Sequence, residues 1–336
     1  MNTRKVDILN IILLLVSVIL GYLLPFRLFL YAYAILGPLH YLTEINWLQE
    51  KNFFLSSKQW VWIPIVFVIL ILIPKLFLLP PLGFLLENED FKLFLTAWEH
   101  WSNGLILLWL LSSIGLVFTK GKSSFWLFFA LGLLFTVLLG EVNSYLLILG
   151  ILIPSVIHVY LFTVFFMLFG AIKSRSTPAY ISVVLILMAP FFISIIEINP
   201  KSYIFSERIK STFLDNNFHV LITKLSAFLG LSDGKSFYFY SKLELKFQIF
   251  LAFAYTYHYL NWFSKTSVIG WHKRVSTSRA ISIISIWLIS IGLYTYDYTL
   301  GFILLMSLSM LHVLLEFPLN ILSMKGVGNW LFSNKA

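Results

Sequence analysis

The chain has 336 residues, of which 59% are hydrophobic, 18% aromatic and only 12% charged, with a formal net charge of +9; its mean hydropathy is +0.88. A soluble domain is nearer half apolar with about a quarter of its residues charged, so this composition excludes an ordinary soluble fold and indicates a polytopic membrane protein. The positive charge does not imply nucleic acid as a partner: Lys and Arg fall in short loops between apolar runs, where they orient a chain and meet anionic headgroups. Cysteine is absent, which removes disulfides, thiolate ligands and thiol nucleophiles and leaves His, Asp, Glu or backbone oxygen to hold any metal.

At the N-terminus Met1–Lys5 precedes an apolar run with no small-residue cleavage site after it, which predicts a retained first span. At about 20 apolar residues per span, ten spans are predicted: 8–24, 27–48, 60–80, 93–118, 124–140, 144–171, 178–197, 245–264, 278–295 and 299–322. The fold class is an all-α integral membrane bundle, a single transmembrane domain over 1–336. Spans one and two join tightly at Pro25–Arg27, and spans five and six at Gly140–Asn143.

Charge gives the orientation. With the N-terminus inside, inner segments carry Arg4 and Lys5; Lys51 and Lys58; Lys120 and Lys122; Lys173 and Arg175; Lys265, Lys273, Arg274 and Arg279; and Lys325 and Lys335. Outer connections carry Glu87, Glu89 and Asp90; Glu141; and Asp297. This positive-inside pattern predicts cytoplasmic termini and suits a bacterial inner membrane. Arg27 and Lys92 are outer exceptions, and Lys75, near the outer end of span three, is expected to snorkel. The connection at 198–244 is far longer than ordinary. In it Ile209, Phe213, Val220, Leu221, Leu225, Phe228 and Leu229 recur near helical spacing, which predicts a helix on the outer face, either a lid or, more simply, a cover over the bundle.

Four histidines interrupt the apolar runs: His40, His158, His258 and His312, on spans two, six, eight and ten. All four spans run from outside to inside. The distances to the next inner cation (Lys51, Lys173, Lys265 and Lys325) differ by about 12 Å at most at 1.5 Å per residue, which helix tilt absorbs in large part. One layer of imidazoles in the inner half of the membrane follows. Gly37–Pro38 precedes His40 and Pro154 precedes His158; such breaks occur at membrane depth where protein buries them or they line a cavity. Glu44 and Glu316 each stand four residues after a histidine, on its helical face, as ligands or as partners that fix an imidazole tautomer. Asn261 and Trp262 follow His258 by three and four residues.

Ionisable groups at this depth mark function, and imidazoles with carboxylates point to a metal. Four neutral imidazoles with open positions suit non-haem Fe(II) and oxygen chemistry; a closed tetrahedral set would suit zinc, and two histidines on facing helices haem. Of the other histidines, His100 falls in the interfacial aromatic belt, and His219 and His272 fall in loop or interfacial segments. Gly230–Gly234 matches G-x-S-x-G but lacks the strand a nucleophile elbow requires, so a turn is expected. Gly121-Lys122-Ser123 echoes the end of a P-loop with its upstream glycine out of spacing.

The segment Gly37-Pro38-Leu39-His40-Tyr41-Leu42-Thr43-Glu44 resembles the early G-x-P-H-G-x-x-D motif of the Brp/Blh family, bacterial and archaeal integral-membrane β-carotene 15,15′-dioxygenases. Ser309–Glu316, around His312, is similar to that family's late P-H-M-type motif, and Tyr255–Trp262 looks like one of its histidine-bearing spans. The resemblance covers short motifs, and here Tyr41 stands for the family's glycine and Glu44 for its aspartate. It implies an all-helical protein with one iron held by four histidines, His158 being the remaining ligand. That iron would split the central double bond of β-carotene with O₂ to give retinal. Glu44 and Glu316 would orient imidazoles, and Tyr41, Tyr257 and Trp262 would line a slot for a carotenoid or other apolar lipid. Two other classes stay open: a transporter with an intramembrane His/Glu relay, and a structural membrane subunit.

Overall fold

A computed structural model describes residues 3–79, 82–119, 122–271 and 275–333. His272, Gly121 and the cations Lys120, Lys273, Arg274 and Lys335 lie outside them. The described residues are helical, with no strand among them. In chain order the helices are α1 (Thr3–Leu23), α2 (Pro25–Tyr31), a π-helical turn (Ala32–Leu36), α3 (Gly37–Glu50), α4 (Trp62–Leu76), α5 (Glu89–Ser102), α6 (Gly104–Thr119), α7 (Lys122–Leu139) and α8 (Asn143–Leu147). A long π-helix (Ile148–Phe162) follows, then α9 (Thr163–Ser174), α10 (Thr177–Ile195), α11 (Glu207–Asp215), α12 (Phe218–Phe228), α13 (Lys242–Lys265), α14 (Thr277–Tyr296) and α15 (Tyr298–Ser333).

Among the described residues seven stretches are long and apolar enough to cross a membrane: Thr3–Leu23, Lys58–Leu76, Glu89–Thr119, Ser144–Ser174, Thr177–Ile195, Thr277–Tyr296 and Tyr298–Phe332. The three further predicted spans differ from these in instructive ways. The 124–140 stretch is an apolar but shorter helix, Ser123–Leu139. The other two, α2 to α3 and α13, are long helical runs that carry the polar residues of the interior. In α13 Glu244, Gln248, Thr256, His258 and Asn261 are all buried. Hydropathy reports contact with lipid, and a helix surrounded by protein has no need of an apolar surface.

The chain forms two compact units. Unit 1 is Met1–His40, Val156–Thr299 and Met324–Ala336; unit 2 is Tyr41–Ser155 and Leu300–Ser323. In unit 1, α1 lies along α13. Gly21 permits that approach: a Cβ there would sit 3.1 Å from the Ile249 carbonyl oxygen. Polar bonds pin α13 near both its ends, to the first residue of α2 and to α1. Gln248 Nε2 donates to Pro25 O (3.0 Å), and Ser264 Oγ donates to Asn10 Oδ1 (3.0 Å). The 198–244 segment belongs to this unit. It forms two short helices rather than one, because Asn217 takes a left-handed conformation (φ +57°) between them. Phe213 is buried on Phe26 (ring centroids 4.9 Å), and half-buried Phe218 packs on Phe29 (5.1 Å). These edge-on aromatic contacts fasten the segment to α2. Gly230–Gly234 is a turn with both glycines at positive φ, as expected.

In unit 2, α6 and α7 pack against each other, and Lys75 does more than snorkel: its Nζ donates to Glu99 Oε1 at 2.6 Å, joining α4 to α5. Trp98 reinforces that joint through Nε1 to Leu70 O (2.8 Å). Pro318 lies inside α15 and has no N–H for Leu314 O, one turn back. The Trp109 indole of α6 fills the gap, donating to Leu314 O at 2.6 Å.

Candidate metal centre

All four sequence-predicted ligands, His40, His158, His258 and His312, are buried, at 1–6% exposure. They are the group of ligand-type side chains, among the described residues, that could hold a metal ion. His40, His158 and His258 belong to unit 1 and come together there. One ring nitrogen of each lies within 4.8 Å of the others. His258 stands between its neighbours: its ring centroid is 4.6 Å from that of His40 and 4.9 Å from that of His158, at interplanar angles of 74° and 69°. The Nε2 atoms of His258 and His40 are 3.0 Å apart.

Irregular backbone delivers two of these rings. The π-turn at Ala32–Leu36 opens α3, three residues before His40, and Ile35 O accepts from the Trp287 indole of α14 at 2.8 Å. His158 sits inside the π-helix Ile148–Phe162, which also contains Pro154. π-helical turns are rare and frequent at functional sites, because the added residue per turn re-aims the side chains. The prolines and Gly37 signal a break in these spans; the π geometry itself carries no sequence signature.

The tautomer of His258 follows from its partner. Thr163 Oγ1 donates to Val159 O (2.9 Å), which commits its only proton. The contact of Thr163 Oγ1 with His258 Nδ1, at 2.7 Å, then requires the imidazole to donate. His258 carries its proton on Nδ1 and presents the Nε2 lone pair to the cluster. This is the orientation a second-shell oxygen imposes on a metal-binding imidazole. Thr163 was not a predicted site residue. It opens α9, 95 positions from His258, and no local spacing connects them. Tyr259, with its ring 5.1 Å from that of His40, is a second buried neighbour that sequence spacing did not single out.

In unit 2, His312 Nδ1 contacts the carbonyl oxygen of Ser309 on its own helix. A carbonyl can only accept, so His312 also carries its proton on Nδ1 and offers Nε2. Its ring stacks on Tyr41, centroids 4.2 Å apart and 25° from parallel. Glu44 and Glu316 are buried in the same unit and interact electrostatically. Of the predicted substrate-slot residues, Tyr41 therefore serves as the platform for His312. Trp262 lies edge-on to His40 at 5.8 Å. Tyr257 stacks on Phe253 and directs its hydroxyl to Met167 Sδ (3.6 Å), a packing role within unit 1. His100 pairs with Glu141 at 3.6 Å and His219 packs against Phe237; neither belongs to the ligand group.

The donor set fits a metal. Imidazole–metal bonds are about 2.1 Å, so two ligands at a right angle stand about 3.0 Å apart and at the tetrahedral angle about 3.4 Å. The Nε2 atoms of His40 and His258 lie within that range of each other. Comparisons of the chain with protein-family models, curated proteins and solved structures return no match.

Proposed function

We propose that the protein is a membrane-embedded non-haem iron oxygenase that cleaves an apolar, membrane-dissolved substrate, with β-carotene to retinal as the leading reaction. The observation that carries this reading is the buried imidazole set whose tautomers are fixed from behind: His258 by Thr163 and His312 by Ser309 O. His40, His158, His258 and His312 are the proposed ligands. Support for the fourth comes through the chain itself, because His312 stacks on Tyr41, the residue that follows His40. Neutral imidazoles with open positions suit Fe(II) and oxygen chemistry. The family resemblance around His40 and His312 points to the same chemistry.

Bound iron would supply O₂ activation. The reaction needs no other co-reactant: one carbon–carbon double bond breaks, each carbon takes one oxygen atom of O₂, and a symmetric carotenoid gives two aldehydes. The chain's own residues hold the imidazoles in one tautomer and exclude water. Tyr41, Tyr257, Tyr259 and Trp262 furnish an apolar, aromatic surround, all of it buried. We place the chain in a bacterial inner membrane as ten spans with both termini cytoplasmic, the α2–α3 and α13 runs among them. The test is an aerobic assay with purified protein and β-carotene in detergent micelles under ¹⁸O₂. Retinal carrying ¹⁸O supports the proposal. No aldehyde product from iron-loaded protein with β-carotene or other carotenoids refutes carotenoid cleavage.

A further inference from the structure

Arg27 departs from the positive-inside pattern of the other connections, and in unit 1 it lines a cavity of about 460 Å³. That volume suits a small-molecule site. The cavity lies where two of the apolar stretches end. The junction of α1 with α2 forms one side, and the stretch after α10, Ile196–Phe205, forms the other. Both sides are held in place: Gln248 Nε2 donates to Pro25 O at the junction (3.0 Å), and Phe26 packs edge-on against Phe205 at 4.7 Å. Donors dominate the polar lining. They are the Arg27 guanidinium, the hydroxyls of Tyr22, Ser202 and Tyr203, and the amide of Asn199. The Asn199 oxygen already accepts from Lys201 N (3.1 Å), which leaves its NH₂ to donate. Among the described residues Glu197 is the one acid in the lining, and it is paired with Lys242 at 2.9 Å, so the Arg27 charge is left for a ligand. Tyr22 Oη is buried with no hydrogen-bond partner among the described residues. Buried hydroxyls are almost always satisfied, so a group from outside the chain meets this one. A water would serve Tyr22 alone and leave the guanidinium and the rim without a role. That rim is aliphatic: Leu23, Leu24, Ile196 and Ile204 line the same cavity and are exposed, Ile204 at 89%.

We propose that this cavity binds the phosphate headgroup of an anionic phospholipid, with the acyl chains lying along Leu23, Leu24, Ile196 and Ile204. A guanidinium with converging hydroxyl and amide donors is the chemistry that takes phosphate oxygens, and basic pockets among membrane helices hold anionic headgroups. A soluble phosphate has no use for an exposed aliphatic rim at the end of a span. The site does not rest on the oxygenase reading. The probe is dioleoyl phosphatidylglycerol, titrated into the full delipidated chain in detergent, with bound lipid followed by native mass spectrometry. Phosphatidylcholine with the same chains is the zwitterionic comparison, and glycerol 3-phosphate the soluble one. Wild-type protein is expected to prefer phosphatidylglycerol over phosphatidylcholine by about tenfold, the worth of one charge-assisted hydrogen bond. Arg27→Gln should erase that preference. Lys201→Gln, an exposed cation on the same stretch but outside the lining, should leave it intact. Tyr22→Phe, which removes only the hydroxyl, should weaken it severalfold and stands in should Arg27→Gln fail to elute as a monodisperse peak. Equal affinity for the two lipids in wild-type protein overturns the inference, as does a preference that survives Arg27→Gln. Equal losses in Arg27→Gln and Lys201→Gln would also overturn it, since a diffuse surface charge would then be responsible. Displacement of phosphatidylglycerol by excess glycerol 3-phosphate would overturn the lipid assignment in favour of a soluble phosphate.

Discussion

Replacing Thr163 by Val removes one hydroxyl and keeps the side chain's shape. In the wild-type protein that hydroxyl accepts the His258 Nδ1 proton at 2.7 Å while donating to Val159 O. The lost donation to Val159 O matters little, since that carbonyl belongs to a helical run and such back-bonding is nearly neutral. The lost acceptor matters more. A buried N–H without a partner costs about 1–3 kcal/mol, and the imidazole can escape only by turning or by moving its proton to Nε2, the ligand atom. Loss of such a supporting oxygen lowers metal affinity about 10–100-fold, or about 1.4–2.8 kcal/mol. The assay is anaerobic Fe(II) competition against a chelator of known affinity, with Thr163→Ser as the control that restores the acceptor. An affinity drop of at least tenfold in the Val variant, recovered in the Ser variant, is expected. Affinity within twofold of wild type in Thr163→Val would refute the tautomer argument.

Three further outcomes follow from contacts elsewhere. Trp109→Phe should lower the thermal midpoint by a few degrees, since it strips the indole donor from Leu314 O at a cost of about 1–3 kcal/mol; in a Pro318→Ala background, where the helix regains its own N–H, the same change should cost little, and equal losses in both backgrounds would contradict the account. Gly21→Leu should separate α1 from α13, because a Cβ already stands 3.1 Å from Ile249 O, and lower stability by about 1–3 kcal/mol in detergent unfolding; unchanged stability would mean the helices do not pack this closely. Burial holds the His219 imidazole below its ordinary range, so the unfolded segment takes up a proton first as pH falls through about 6.5. Local stability of α12 should therefore decline from that pH downward, and hydrogen exchange in the His219→Gln variant should show the decline abolished.

Much of the site was legible because an imidazole in an apolar run is conspicuous. His40, His158, His258 and His312 stand out against a chain that is 12% charged, and all four are buried. The carboxylates at i+4 were equally plain, and Glu44 and Glu316 do lie together in one unit. What could not be read were relations between distant segments. Thr163 reaches His258, and Trp109 compensates for Pro318, through contacts set by tertiary packing. The π-turns were hidden as well: Pro and Gly announce a break without saying how the backbone resolves it. Ten apolar runs were read as spans; among the described residues seven stretches are long and apolar enough to cross a membrane, and α13, outside that set, buries Glu244, Gln248, His258 and Asn261. Within 198–244 the apolar spacing suggested one helix, and Asn217 at positive φ divides it in two.

The central claim, that these imidazoles hold one metal, is tested most directly by the iron content of detergent-purified, anaerobically reconstituted protein. Wild type should be measured beside the His40→Ala, His158→Ala, His258→Ala and His312→Ala variants. The account predicts that each single change removes about one equivalent per chain while the protein still elutes as wild type does. Full wild-type iron in any two of the four variants would contradict it.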